Sequence, residues 1–146
     1  MNRDKVIEEI QEKDLVELQE IMKKVFNSKV SNEKAQTFYK VSKKDRDIHI
    51  LGYYLNDNLV GTVTLNILTS PYGKEATIWN LAVKEECRRM GIATKLMNRA
   101  EEIAKSDKDI LRIWLFSGFQ RENAHKLYKK LGYDENRDKA FVKYIN

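Results

Sequence analysis

Apolar residues recur along this chain with two different periods, and each change of period marks an element. Val6–Ile10 (VIEEI) is expected as a short first strand. Leu15, Leu18, Met22 and Val25 then recur at helical spacing, which predicts an amphipathic helix over Asp14–Phe26 with Asp14 near its start. A second, shorter helix is expected over Asn32–Val41. Ile48–Leu55, rich in Ile and Tyr, predicts a strand, and the polar triplet Asn56–Asn58 predicts a hairpin turn. The return strand, Leu59–Leu68, alternates, with Val63, Leu65 and Ile67 on one face and Thr62, Thr64 and Asn66 on the other. After a loop around Pro71, Ala76–Val83 is apolar on both faces, as expected of a central strand covered on both sides.

The second half returns to the helical period. Met90–Lys105 carries an apolar stripe of Ile92, Ala93, Leu96, Met97, Ala100, Ile103 and Ala104. Ile110–Phe116 predicts another strand with little solvent exposure. Arg121–Leu131 predicts a helix closed by Gly132 in the C-cap region, and Ala140–Ile145 predicts a last strand. A hairpin-rich first half implies antiparallel pairing, whereas strand–helix–strand implies a right-handed parallel crossover. The expected class is therefore α/β, with a mixed, mostly antiparallel central sheet, a parallel β-α-β crossover and helices on both faces. Its 146 residues are expected to form a single domain, 1–146.

Composition narrows the chemistry. Hydrophobic residues make up 42%, enough for a real core, and the 34% that are charged are mixed in sign. The net charge of +5 suits an anionic small ligand, and also a weak nucleic-acid or acidic-surface binder. One cysteine excludes an internal disulfide framework and a cysteine-based zinc site, and the two histidines show no metal-ligand spacing, so no metal is expected. No apolar run approaches a membrane span, and the N-terminus lacks the apolar stretch of a signal peptide, so a cytoplasmic protein without membrane contact is expected.

The stretch Cys87–Met97, CRRMGIATKLM, places two arginines and a glycine where a helix begins. The first turn of a helix already carries partial positive charge, so arginines there call for an anion. A buried strand leading through a glycine into a helix is a phosphate-binding arrangement. The G-x-x-x-x-G-K-[ST] and G-x-G-x-x-G patterns are both absent, because Gly91 is the only glycine between Gly73 and Gly118.

Arg88–Ala93 resembles the [RQ]-x-x-G-x-[GA] pyrophosphate loop of the GCN5-related N-acetyltransferases. Two further segments are similar to that family: Leu81–Val83, at the place of its fourth strand, and Arg121–Tyr133 (RENAHKLYKKLGY), at the place of its second motif. The resemblance implies an enzyme, an acetyl-coenzyme A-dependent N-acetyltransferase moving the acetyl group to a primary amine. It implies that Arg88, Arg89, Met90, Gly91, Ile92, Ala93 and Thr94 hold the pyrophosphate through backbone N–H groups, the Thr94 hydroxyl and arginine charge. It implies that Leu81, Ala82 and Val83 bond the pantetheine arm, that Leu81 N–H is the oxyanion donor, and that Tyr128 assists thiolate departure. On periodicity alone, Tyr128 reads as a core tyrosine on the apolar stripe with Ala124 and Leu127, and it is the resemblance that reverses this.

Two positions depart from the family pattern. Arg121 stands where relatives often have asparagine, and Asn123 is the nearby alternative contact to coenzyme A. Trp79 stands where many relatives have a glutamate base. Strand alternation would put Trp79 on the same side as Leu81, so Trp79 is expected to line the acceptor pocket, unless the bulge that the family has in this strand turns it into the core; Asn80 is expected in the same pocket. The rivals are a coenzyme A-binding module without turnover and a basic nucleic-acid-binding domain. The arginines cluster in one loop without interleaved aromatics, which argues against the second rival. The identity of the amine stays open, as does a homodimer.

Overall fold

The computed structural model describes residues 5–146. It divides into two compact units, Met1–Ile113 and Trp114–Asn146. The first unit contains β1 (Lys5–Glu9), α1 (Leu15–Phe26), α2 (Asn32–Lys44), β2 (Ile48–Leu55), β3 (Asn58–Ser70), β4 (Gly73–Val83) and α3 (Ile92–Lys105), and it ends within β5 (Ile110–Trp114). The sheet order is β1-β2-β3-β4-β5. The first three pairings are antiparallel, and the α3 crossover makes β4 and β5 parallel.

The hairpin between β2 and β3 forms at the predicted place. Asn56 and Asp57 both take positive φ, 48° and 67°, as a two-residue turn matched to strand twist requires. Asn and Asp tolerate that region better than other side chains. At the start of α1, Asp14 is buried and accepts hydrogen bonds from the Tyr54 hydroxyl at 2.7 Å and the Gln11 N–H at 3.0 Å. A buried carboxylate without such donors would be costly, so these bonds pin the helix start to β2. Glu17 adds a second tie, accepting from the Leu59 N–H at 3.0 Å.

The two faces of the sheet are covered differently. Ile10, Leu15, Ile21, Tyr54, Leu59 and Ala82 form a buried cluster, with Met22, Phe26 and Tyr39 packed against it. From α3, Ile92, Leu96, Met97, Ala100 and Ala104 are buried, and a Cβ at Gly61 of β3 would come within 3.0 Å of Ile92 and 3.2 Å of Leu96. Gly61 therefore lets α3 lie close to the sheet.

In the second unit, α4 (Glu122–Lys130) ends as the sequence predicts. Gly132 takes φ 95°, and its N–H bonds Lys129 O at 3.0 Å while Tyr133 N–H bonds Tyr128 O at 3.0 Å. These two bonds satisfy carbonyls that the helix end leaves unpaired.

Two expectations need correction. β5 stops at Trp114 rather than Phe116, and Leu111 and Arg112 on it are exposed rather than covered. The cause is position: β5 ends the strand order, and an edge strand is covered less than a central one. The expected last strand, Ala140–Ile145, is not formed, and Phe141, Val142, Tyr144 and Ile145 are exposed. A run rich in apolar and aromatic residues marks a segment able to pair, but a strand exists only where a ladder partner is found.

Candidate active site

The site is organised by an irregularity in β4. Thr62 of β3 stands opposite Ala82, yet Thr64 stands opposite Trp79, so Val63 faces two residues, Asn80 and Leu81. This is a β-bulge, and Asn80 absorbs it by taking φ 55°. Asn80 and Leu81 fall outside one-to-one pairing with β3. The bulge also breaks the alternation from which Trp79 and Leu81 were placed on one side. Trp79 is half-buried opposite Thr64, and Asn80 is exposed.

Beyond the bulge, Ala82 and Val83 are buried, and Lys84 N–H bonds Val60 O at 2.8 Å. A 3-10 turn, Glu85–Cys87, leads into Arg88. The Arg88 Nε–H turns back onto Val83 O at 3.3 Å, tying the loop to the end of β4. Arg89 and Gly91 have positive φ, 64° and 77°. Gly91 is the N-cap residue of α3, and no side chain caps the helix. The first intrahelical bond is Lys95 N–H to Gly91 O at 3.1 Å, so the N–H groups of Ile92, Ala93 and Thr94 are left without an acceptor inside the helix. No acidic residue lies in the first turn, and a Cβ at Gly91 would meet nothing within 4 Å. Free donors, open space and arginine charge together make a cradle for an anion. A pyrophosphate fits these residues.

On the other side of the bulge, a cavity of about 530 Å³ opens between α1, α2 and the sheet. Met22, Phe26, Phe38 and Tyr39 are among its apolar walls, and Thr62, Thr64 and Asn80 come from the strands. Asn80 therefore lines a pocket, and Trp79 is not among its lining residues.

In the second unit, Tyr128 packs edge-on against Tyr133 with ring centroids 6.2 Å apart. Burial pushes its phenol above the usual value, with the charge of Arg121 opposing, so the hydroxyl holds its proton at neutral pH. Arg121 is the N-cap residue of α4, and Asn123 is exposed in the first turn. His125 Nε2 lies 3.2 Å from Ser117 Oγ, a local pairing beside the helix.

Residues 13–133 match the model of the acetyltransferase (GNAT) family. The chain belongs to this family. Members of the family transfer acetyl groups from acetyl-coenzyme A. It is 32% identical over 81 residues to N-alpha-acetyltransferase 50 of Danio rerio, a match covering 56% of this chain and 48% of that protein. The match thus spans about half the length of that curated relative. Among solved structures, a putative acetyltransferase from Agrobacterium tumefaciens has the same fold, with a TM-score of 0.86, 19% identity, and coverage of 95% of this chain and 99% of that one. An aminoglycoside acetyltransferase from an uncultured soil metagenomic sample superposes with a TM-score of 0.78 at 21% identity, covering 97% of each chain.

Periodicity placed Gly91 at the start of α3 and Tyr128 on α4, but of the residues lining the cavity only Asn80 was expected there. A signal for them existed in the helical spacing of Ala35, Phe38 and Tyr39 within an otherwise charged segment. No group of three His, Cys, Asp or Glu side chains among the described residues is placed to hold a metal ion. No helix among them is long and apolar enough to cross a membrane.

Proposed function

We propose that this GNAT protein acetylates a primary amine by direct attack on the thioester of acetyl-coenzyme A. The observation that carries the reading is the uncapped, open start of α3 at Gly91, one short turn beyond the β4 bulge. In this reading, N–H groups from Arg89 to Thr94 and the Thr94 hydroxyl hold the pyrophosphate. Arg88 and Arg89 add charge, and the backbone of Ala82 and Val83 lies along the pantetheine arm. Met90 and Ile92 contribute their backbone N–H groups to this set, Asn123 or Arg121 supplies a further contact, and acetyl-coenzyme A supplies an activated acyl group.

The Leu81 N–H, released from one-to-one pairing by the bulge, donates to the acyl oxygen where negative charge develops. The buried phenol of Tyr128 retains a proton to give to the departing sulfur. Trp79 and Asn80 cannot take a proton, so the amine enters neutral and loses its proton to water after attack. Asn80, which lines the cavity, is assigned to the acceptor side. The family match crosses both units, which supports reading residues 1–146 as one catalytic domain. The relatives suggest two acceptor classes, a protein α-amine and an aminoglycoside.

The test pairs calorimetry with acetyl-coenzyme A and thiol release across an amine panel. Binding with amine-dependent thiol release is expected. Binding without release from any amine would leave a coenzyme A-binding module, and absence of binding would remove the whole assignment.

A further inference from the structure

The cavity beside the bulge carries information about which amine is accepted. α2 turns Ala35, Phe38, Tyr39 and Ser42 toward it, the i, i+3, i+4, i+7 positions of one helix face. Yet α2 has no fully buried residue, and Phe38 is 57% exposed. Tyr39 on this face packs against the buried cluster, which leaves Phe38 over open space, and an exposed apolar side chain beside a cavity is unfavourable in water until something apolar fills the gap. Met22 and Phe26 of α1 give the cavity a second apolar wall. Its volume of about 530 Å³ lies in the range of small-molecule sites.

Polar groups are confined to particular places. Thr64 and Asn80 come from the strands, and neither side chain makes a hydrogen bond among the described residues. Asn80 adjoins Leu81, so this polar end lies at the bulge. No Asp, Glu or His is among the described residues lining the cavity, and the cation Lys29 stands at the α1–α2 loop. A second ammonium on an acceptor would enter without a carboxylate partner and would meet Lys29. An unpaired charge in an apolar site is strongly disfavoured.

We propose that the cavity selects primary amines that carry an apolar body and no second positive charge. The apolar body lies between α1 and α2, and the amine points to Thr64 and Asn80. This selectivity rests on the acetyltransferase reading above. It disfavours polyamines and aminoglycosides as acceptors, although one structural relative is an aminoglycoside acetyltransferase. It also fits the lack of Asp, Glu or His among the described residues lining the cavity, because an apolar surrounding favours the neutral amine over the ammonium.

The experiment compares n-propylamine through n-hexylamine with spermidine and kanamycin, by thiol release from acetyl-coenzyme A. kcat/KM is expected to rise about fourfold per added methylene until the cavity is filled. n-Hexylamine should exceed both polycations by at least about tenfold. Phe38→Glu places a carboxylate in the wall at an exposed position that the fold tolerates. It should lower the n-hexylamine rate and raise the spermidine rate, shifting their ratio by about tenfold or more. A second arm titrates n-hexylamine into coenzyme A-saturated protein by calorimetry, where binding to the parent should weaken in Phe38→Glu.

A flat alkylamine series, or spermidine or kanamycin matching n-hexylamine in the parent, overturns the selectivity while leaving acetyl transfer standing. If no amine is acetylated but n-hexylamine still binds in a Phe38-dependent way, the cavity assignment holds and the transfer reading fails. Neither turnover nor binding overturns both.

Discussion

Replacing Gly91 with valine separates the backbone needs of the fold from those of the cofactor. Gly91 holds φ 77°, a region that costs an L side chain about 1–2 kcal/mol. No contact penalty adds to this, because a Cβ there would meet nothing within 4 Å. The folded state should therefore lose about 1–2 kcal/mol, which for a chain of this size lowers Tm by about 2–8 °C. The cofactor should suffer more. A valine side chain at the helix start stands where phosphate oxygens would approach the N–H groups of Ile92 and Ala93. Each charge-assisted bond is worth about 1.5–3 kcal/mol. Losing two of them weakens acetyl-coenzyme A by about 10²–10⁴-fold. Calorimetry on the folded variant reads the affinity, with Gly91→Ala as a control that carries the same φ strain and less bulk. Affinity within about threefold of the parent in folded Gly91→Val, against the loss expected from two such bonds, would show that the pyrophosphate does not bind there.

Tyr128→Phe should keep cofactor affinity and lower kcat by about 10²–10⁴-fold, and stopped-flow thiol release checks it; a change within about threefold leaves Tyr128 as a packing residue. Because burial raises the Tyr128 pKa, its phenol stays protonated through the ordinary tyrosine range, so kcat should show no alkaline loss below about pH 10. The sign for stability follows: the folded form keeps the proton longer than the unfolded one, so this stabilisation is complete below the unfolded pKa and declines as pH rises through the folded value. Asn80→Gly preserves the φ 55° of the bulge while removing the side chain, and it should raise the amine KM with acetyl-coenzyme A affinity unchanged in steady-state assays. Asp107 is held below the usual carboxylate value first by the Asp109 N–H at 2.9 Å and then by Lys74 Nζ at 3.0 Å. In Lys74→Met an NMR titration should still find Asp107 depressed, and a return to the ordinary value would reverse that order of causes. Its contribution to stability is present above the ordinary carboxylate pKa and is lost as pH falls through the depressed folded value.

Local chemistry made part of this protein legible residue by residue. β2 forms over the predicted Ile48–Leu55, because its β-branched and aromatic run is bounded by Asn-Asp, the pair that accepts positive φ at both turn positions. α3 begins at Gly91 and α4 ends at Gly132, because a glycine takes positive φ without strain at either boundary. The candidate anion loop was proposed on the same local grounds: arginines and a glycine at a helix start act through charge and backbone freedom.

What the tertiary structure decided are the features that need a partner distant in the chain. Whether Ala140–Ile145 becomes a strand depends on a ladder partner, and Leu111 is exposed because its strand ends the sheet order. The bulge at Asn80 is a mismatch of register between β3 and β4, so alternation along β4 alone could not place Trp79. The cavity arises where α2 stands off from the sheet, and its lining combines two helices, a loop and three strands. Periodicity states which face of a helix is apolar. Only packing determines whether that face meets other side chains or the space that a substrate will fill.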